Sequence, residues 1–88
     1  MFDFFKKERF PKRYMVVGKH YRYIDVTDPS KIAYDYTQAF FFNWDGNKIT
    51  LEGSAWNVPA TNYYDVTEKI KKYFNRLNYI IESFTECK

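Results

Sequence analysis

Alternation of apolar and polar side chains on both sides of one glycine turn constrains this chain most. Over residues 32–44 a large apolar side chain occupies every second position, with one polar exception. Asp45-Gly46 follows, and an Asp-Gly pair flanked by alternating apolar residues is the strongest short-range signal for a β-hairpin. A turn at these two residues places Phe42 opposite Ile49, and it puts the large apolar side chains of both strands on one face.

The segments on either side of the hairpin predict a third strand and a helix. Residues 14–24 are rich in β-branched and aromatic side chains, which favour a strand, and Gly18 is compatible with a bulge in it. Asp65 and Glu68 fit a capping box that begins a helix. Apolar residues then recur at three- and four-residue spacings as far as Phe84, so we expect one long amphipathic helix.

Residues 29–42 admit a second interpretation. Asp28-Pro29 resembles a helix start, with Asp28 as N-cap and Pro29 in the first turn. The period-2 pattern favours a strand instead. We therefore expect an α+β fold for residues 14–88, a three-stranded antiparallel β-meander packed on a C-terminal amphipathic α-helix (βββα). The predicted core is Met15, Val17, Tyr36, Phe40, Phe42, Ile49, Leu51, Val66, Ile70, Phe74, Leu77 and Ile81.

Residues 1–13 form a short basic and aromatic arm that precedes this single domain. The formal net charge of the 88-residue chain is +3, and the arm carries all of it because the basic and acidic side chains of the remainder balance. Such a segment can steer a protein toward an anionic partner. The basic residues of the arm are Lys6, Lys7, Arg9, Lys12 and Arg13.

Cysteine usage and hydropathy predict a soluble cytoplasmic protein. The single cysteine, Cys87, cannot form an internal disulfide. No apolar run approaches the roughly 18 residues that a membrane span requires. The composition is rich in Lys, Asn, Ile, Tyr and Phe and poor in Ala and Gly, which is typical of small proteins of AT-rich phages and mobile elements.

The residues that common catalytic sites need are missing or scattered, so we expect no enzyme activity, no cofactor and no metal site. Nucleophilic catalysis needs a base beside a Ser or Cys, and the one histidine, His20, lies within a predicted strand far from Cys87 in sequence. Metal sites need clustered ligands, and phosphate-binding loops need closely spaced glycines. An RNase that uses tyrosine, basic residues and His20 stays an open alternative, because such sites leave little spacing signature.

Four surfaces are candidates for binding. The first is the sheet face away from the helix, and the second is the arm. The third is the basic outer face of the helix, and the fourth is the edge of the first strand, which would pair with a second copy or a partner strand. The predicted sheet face contains Tyr14, His20, Arg22, Phe41, Lys48 and Trp56, and the helix face contains Lys69, Lys71, Lys72 and Arg76.

These observations favour a non-catalytic binding protein, because surplus aromatic residues are enriched at protein interfaces. We expect a protein-binding inhibitor or adaptor of phage or mobile-element type. The alternative is RNA or single-stranded DNA binding, in which Phe41 and Trp56 stack on bases while Arg22, Lys48 and the arm contact phosphates. Neither the RNP-type signature nor the double-stranded-RNA-binding signature is present.

Overall fold

The computed structural model describes residues 9–88, which form one antiparallel sheet and one helix. The predicted α+β class is confirmed, and the sheet has five strands where three were expected. In chain order the elements are β1 (Lys12–Tyr23), β2 (Ile32–Trp44), β3 (Lys48–Leu51), β4 (Asn57–Pro59), α1 (Tyr63–Arg76) and β5 (Tyr79–Cys87).

The strands lie in the order β4-β3-β2-β1-β5, and every neighbouring pair is antiparallel. Since β1 lies between β2 and β5, the expectation that the first strand forms an edge is wrong. One edge is β4, which has three residues and ends at Pro59. Proline lacks an N–H donor, so this edge offers little to a further strand. The other edge is β5, with nine residues.

Residues 32–44 form a strand, as the period-2 pattern predicts, but the hairpin turn lies one residue later than expected. Phe42 pairs with Leu51 rather than with Ile49. This register shifts the pairing by two residues and leaves the paired side chains of residues 42–44 and 49–51 on their predicted faces, because side chains alternate with a period of two. Asn43 pairs with Thr50, which continues the same register toward the turn.

The side chain of Asp45 explains the position of the turn. Its carboxylate accepts hydrogen bonds from the backbone N–H groups of Asn47 and Lys48, both at 2.8 Å. These bonds lower the pKa of Asp45. Gly46 takes a φ of 98°, a conformation that glycine adopts without steric cost. The turn is therefore centred on Gly46 and Asn47.

The alternation along β1 is opposite to the prediction. Val16 is fully buried against the helix, whereas Met15 and Val17, predicted to lie in the core, are half-buried on the other face. Gly18 shares the helix-facing side with Val16, and a Cβ on it would lie 2.7 Å from the Phe74 ring. Glycine at this position lets the Phe74 ring lie directly against the strand. This close approach favours the face of β1 that carries Tyr14, Val16 and Gly18 as the one that meets the helix.

The helix begins and ends earlier than predicted. Asn62 is the N-cap, and its side chain accepts a hydrogen bond from the Asp65 N–H at 2.8 Å, so Asp65 lies within the first turn. The helix ends at Arg76, and Asn78 takes a φ of 61°. Asparagine tolerates this left-handed conformation better than most residues, and it commonly ends helices there. Leu77, predicted to lie in the core, is 41% exposed.

Residues 79–84, predicted as helix, belong to β5. Antiparallel pairing of this strand with β1 satisfies backbone groups of β1 that would otherwise form a sheet edge. The register shifts between Val17 and Gly18, but the extra residue lies in β5, so the bulge that Gly18 suggested within β1 itself is not found there. Val17 pairs with Ser83 and Gly18 with Ile81, which leaves Glu82 as the extra residue of β5.

The core lies between α1 and one face of the sheet. The indole N–H of Trp44 donates to the backbone carbonyl of Ala60 at 2.8 Å, and within residues 9–88 no buried side-chain polar atom lacks a hydrogen-bond partner. The buried apolar residues are Tyr14, Val16, Phe42, Trp44, Ile49, Leu51, Ala60, Val66, Ile70, Phe74 and Tyr79.

Candidate functional site

The two longest strands extend well beyond the helix that covers the sheet. The 14 residues of α1 span about 21 Å at 1.5 Å per residue. The 13 residues of β2 span about 43 Å at 3.3 Å per residue. Burial follows this difference, since residues 40–44 are buried or half-buried and residues 34–39 are exposed. We call the uncovered part, residues 19–38 of β1, β2 and their connecting loop, the distal ribbon.

Four tyrosines give the distal ribbon its character. Tyr21 pairs with Tyr34 across the two strands, and Tyr21 and Tyr23 contact edge to face with ring centroids 5.7 Å apart. A hydrogen bond with Tyr23 raises the pKa of Tyr21. The ammonium of Lys19 lies 4.7 Å from the Tyr34 ring centroid. Tyr23, Tyr34 and Tyr36 are 50%, 52% and 49% exposed, so about half of each side chain is available to a partner.

Tyr36 is held in a fixed orientation although half of it is exposed. Its ring stacks on His20 with centroids 4.9 Å apart, and its hydroxyl lies 3.0 Å from the hydroxyl of Tyr79. Burial and this hydrogen bond raise the pKa of Tyr79 to about 12. The Tyr79 hydroxyl also donates to Gln38 at 3.3 Å. A side chain ordered in this way loses little conformational entropy when it binds.

Asp35 joins the two strands of the ribbon electrostatically. Its carboxylate accepts from Nε of Arg22 at 2.8 Å and lies 3.1 Å from Nδ1 of His20. The hydrogen bond from Arg22 is the main reason that the pKa of Asp35 is lowered. The guanidinium of Arg22 is thus oriented along the ribbon, and part of its charge is neutralised. His20 and Arg22 are two predicted site residues that the structure brings together, through Asp35.

The distal ribbon has no net charge. Residues 19–38 contain the cations Lys19, Arg22 and Lys31, and they contain three aspartates. Asp25 and Asp28 each accept hydrogen bonds from a Thr or Ser two residues later, which lowers the pKa of both carboxyl groups. All three carboxylates are therefore ionised near neutral pH and offset the cations. An aromatic surface with balanced charge differs from the basic surface that a nucleic-acid binder presents.

The predicted outer sheet face does not present a free aromatic surface. The guanidinium of Arg13 covers Phe41, with its central carbon 4.1 Å from the ring centroid. Arg13 also makes two hydrogen bonds to Glu52, at 2.7 and 2.9 Å, and Asn43 donates to the same carboxylate at 2.7 Å. These bonds, with that from Arg13 first, lower the pKa of Glu52 to about 2. On this face Arg13 covers the Phe41 ring, and the charge of Arg13 is already neutralised by Glu52.

Two other residues predicted on that face lie on the helix side instead. Tyr14 is buried in the core, because the helix-facing set of β1 includes it. Trp56 packs on Tyr73 of α1 with ring centroids 4.8 Å apart and on Phe42 at 5.6 Å. Trp56 lies in the connection between β3 and β4 rather than on a longer β3, which lets the chain carry its ring toward the helix.

The remaining predicted residues are distributed along the molecule. Lys48 is exposed at the start of β3, close to the turn, whereas Arg22 lies near the opposite end of β1. Of the arm, Lys6 and Lys7 lie outside the described residues, and Arg9 is exposed. Lys12 and Arg13 are the first residues of β1, so the boundary predicted at residue 13 falls within a strand.

Of the four cations predicted on the outer face of the helix, two have partners among the described residues, and one of these is Lys71, which lies 3.4 Å from Glu68. The ammonium of Lys69 donates to the carbonyl of Pro59 at 2.9 Å. Lys72 and Arg76 are exposed, and neither makes an ion pair with another residue in the described range 9–88.

The distal ribbon contains an imidazole–carboxylate pair, His20 and Asp35. An imidazole oriented by a carboxylate, as in His20 and Asp35, is suited to proton transfer. The neighbours of this imidazole are the rings of Tyr36 and Tyr79, and no nucleophilic Ser or Cys is hydrogen-bonded to it among the described residues. Within residues 9–88, no group of three or more His, Cys, Asp or Glu side chains is placed to hold a metal ion.

Sequence reasoning missed the tyrosine surface because it assigned the apolar set of β2 to the core. Tyr36 was expected in the core, and it is half-exposed. One available signal was length, because a long strand extends beyond any helix of similar residue number that packs on it, and part of its surface then stays uncovered. Residues 34–38 also include Asp35 and Gln38, polar side chains that a fully covered strand seldom carries.

Comparisons with known protein families, with curated proteins and with solved structures found no match for this chain. Across residues 9–88, no helix has the length and apolar character required to cross a membrane.

Proposed function

We propose that the protein is a non-catalytic binding module that docks on a larger protein through its distal ribbon, as an inhibitor or adaptor of phage or mobile-element type. The observation that carries this proposal is a set of half-exposed tyrosines on a segment without net charge, with Tyr36 on the helix side of the ribbon and Tyr23 and Tyr34 on the opposite face. Tyrosine and arginine are enriched among residues that dominate binding energy at protein interfaces. The ribbon supplies both, with Arg22 beside Tyr21 and Tyr23.

Nucleic-acid binding is the less favoured alternative. Affinity for nucleic acid depends strongly on cations that neutralise phosphates. In the distal ribbon Lys19 is paired with Glu82 at 3.3 Å and Arg22 with Asp35 at 2.8 Å. The outer face offers Phe41 only beneath the Arg13–Glu52 ion pair. The aromatic rings would stack on bases without the phosphate contacts that usually accompany stacking.

Site-specific photo-crosslinking tests the proposal and separates the alternatives. The photoreactive residue p-benzoylphenylalanine replaces Tyr34 in the full chain, and the matched control replaces Tyr64, which is 71% exposed on α1. After irradiation in the cells that produce the protein, we expect a discrete adduct at position 34 that protease removes and nuclease leaves intact. An adduct that nuclease removes would support the alternative. Equal adducts at both positions would exclude the ribbon as the binding surface.

Alanine substitution provides an independent measurement once the crosslinked partner is identified. The double variant Tyr23→Ala, Tyr34→Ala should weaken binding at least tenfold, since each residue that dominates an interface contributes about 2 kcal/mol or more. Lys72→Ala, which changes an exposed residue of α1, is the control and should leave affinity within twofold of the original. Retention of full affinity by a folded double variant would refute the proposed surface.

A further inference from the structure

An open apolar groove separates α1 from the edge strand β5. The groove has a volume of about 630 Å³. Phe74 of α1 and Ile81 and Phe84 of β5 supply apolar lining, and Tyr63 and Tyr79 also line the groove. It exists because α1 packs toward β2 and Trp56, with Phe74 and Tyr73 as its contacts, so the helix does not reach across the whole width of the sheet.

The strand that borders this groove has a free hydrogen-bonding edge. β5 pairs with β1 on one side, and on its other side it pairs with no strand among residues 9–88. Unpaired N–H and C=O groups along a strand are a template for a further strand. An edge strand beside a groove allows an added peptide to gain backbone hydrogen bonds from the edge while alternate side chains enter the groove.

The charge around the groove indicates which peptide fits it. Lys71 of α1 lines the groove, and no carboxylate does among the described residues. The ammonium of Lys71 lies 3.4 Å from Glu68, and its side chain is 61% exposed, so this ion pair is weak and open to competition. Lys72 and Arg76 add positive charge to the same helix. β5 carries two acidic residues, Glu82, which is paired with Lys19, and Glu86, and neither of them lines the groove.

We propose that this groove binds an extended peptide segment of a partner protein. The segment adds to β5 as a sixth strand, inserts alternate apolar side chains between Phe74 and Phe84, and directs one carboxylate of the same face to Lys71. The groove adjoins the distal ribbon, since Tyr21 of the ribbon is among its lining residues. The proposal stands or falls independently of the proposed function, because its test uses a defined peptide rather than the crosslinked partner.

Two synthetic peptides test this site on the full chain. The first is Thr-Ile-Thr-Glu-Thr-Ile-Thr, which presents Ile, Glu and Ile on one face when extended, and the second has Lys in place of Glu. Both are fluorescein-labelled and are titrated by fluorescence anisotropy, and unlabelled peptide is titrated by ¹H–¹⁵N NMR. We expect saturable binding of the acidic peptide at least tenfold tighter than that of the basic peptide. The amide shifts should be confined to residues 79–87 and to the groove side of α1.

Three variants decide whether the groove is responsible. Lys71→Glu should weaken the acidic peptide at least tenfold and strengthen the basic one, whereas the neighbouring Lys72→Glu, which does not line the groove, should leave both within twofold. Thr67→Trp places an indole in the groove and should abolish binding of both peptides. The thermal midpoint of each variant is measured first to confirm folding, and the charge reversal keeps the test valid if Thr67→Trp does not fold.

Three results would overturn this proposal. One is the absence of saturable binding at peptide concentrations of about 1 mM, the weak end of specific affinity. Another is equal loss of binding in Lys71→Glu and Lys72→Glu. The third is a shift of residues 79–87 with protein concentration alone, accompanied by dimers in sedimentation velocity, which would show that a second copy occupies the β5 edge.

Discussion

Replacing Gly18 with alanine tests how closely the helix approaches the sheet. A Cβ at this position would lie 2.7 Å from one carbon of the Phe74 ring and 3.1 Å from the Tyr79 ring. The Phe74 ring has little freedom to move, because the rings of Tyr79, Phe40 and Phe42 surround it with centroids 5.6, 4.9 and 6.0 Å away. The added methyl group must therefore displace the helix or force the ring out of its preferred rotamer.

The expected cost follows from two opposing effects. Overpacking a close-packed core typically costs about 1–3 kcal/mol. Alanine also restricts the unfolded chain, which stabilises the folded state by about 0.4–1 kcal/mol. The free energy of unfolding of Gly18→Ala should therefore fall by about 1–2 kcal/mol. In a domain of this size each kcal/mol shifts the thermal midpoint by about 4–8 °C, so a decrease of at least about 4 °C is expected.

Urea denaturation followed by circular dichroism measures this loss, and a second background identifies its cause. In Phe74→Leu the smaller side chain leaves space for the methyl group, so Gly18→Ala should cost about 1 kcal/mol less there than in the original chain. The argument is wrong if Gly18→Ala is as stable as the original protein. It is also wrong if the penalty is equal in both backgrounds, since the contact with Phe74 would then not be the cause.

Two further predictions concern a helix end and an ion pair. Asn78→Gly should keep or raise the free energy of unfolding, whereas Asn78→Ala should lower it by about 1 kcal/mol because the φ of 61° is costly for alanine. Thermal denaturation of both variants measures the difference. Equal stability of the two variants would contradict the role of Asn78 in ending the helix. The pKa of Glu52 is lowered to about 2. Its ionised carboxylate therefore stabilises the fold fully at pH values above the ordinary glutamate pKa near 4.5, and this stabilisation is lost as the pH falls from 4.5 to 2. Arg13→Met should move the Glu52 pKa toward 4.5 in an NMR titration, and a value still near 2 would show that Arg13 is not its cause.

The strand at residues 32–44 was predictable because two local signals agreed. Alternation defined which side chains share a face, and the glycine-containing turn defined where the chain reverses. The turn position was wrong by one residue because the Asp45 side chain, rather than the Asp-Gly pair, selects the turn. The face assignment held for residues 42–44 because the register of the hairpin moved by an even number of residues.

The helix was only half predictable. Its first turns carry a clear pattern, but Ile80, Ile81 and Phe84 of β5 continue the helical spacing by coincidence. The local signal for a stop is Asn78, and a single asparagine is weak until its left-handed conformation is seen. Residues 79–87 form a strand rather than more helix because they pair with the side of β1 that β2 leaves open, and β1 lies more than 50 positions earlier in the chain. Single-segment periodicity cannot report such a pairing.

The candidate site was the least predictable part, and the reason is geometric. Alternation does not state whether anything covers a face of β2, and it did not indicate the bulge at Asp35, which places Tyr34 on the face opposite Tyr36. A helix that begins after Asn62 and ends before Asn78 leaves about 20 Å of a 13-residue strand uncovered. Tyrosine tolerates that position, since its ring can pack sideways while its hydroxyl remains in water.

The same geometry explains why the distal ribbon and the α1–β5 groove coexist on one small domain. A single 14-residue helix is too short to cover β2 along its length and too narrow to cover five strands. The first deficit leaves Tyr36 half-exposed, and the second leaves Ile81 and Phe84 only partly buried beside the groove. The ribbon is charge-balanced and the groove has a cationic rim, so the two surfaces suit different ligands. A protein that used both would hold the body of its partner on the ribbon and an extended segment in the groove, and simultaneous engagement would raise the overall affinity above that of either surface.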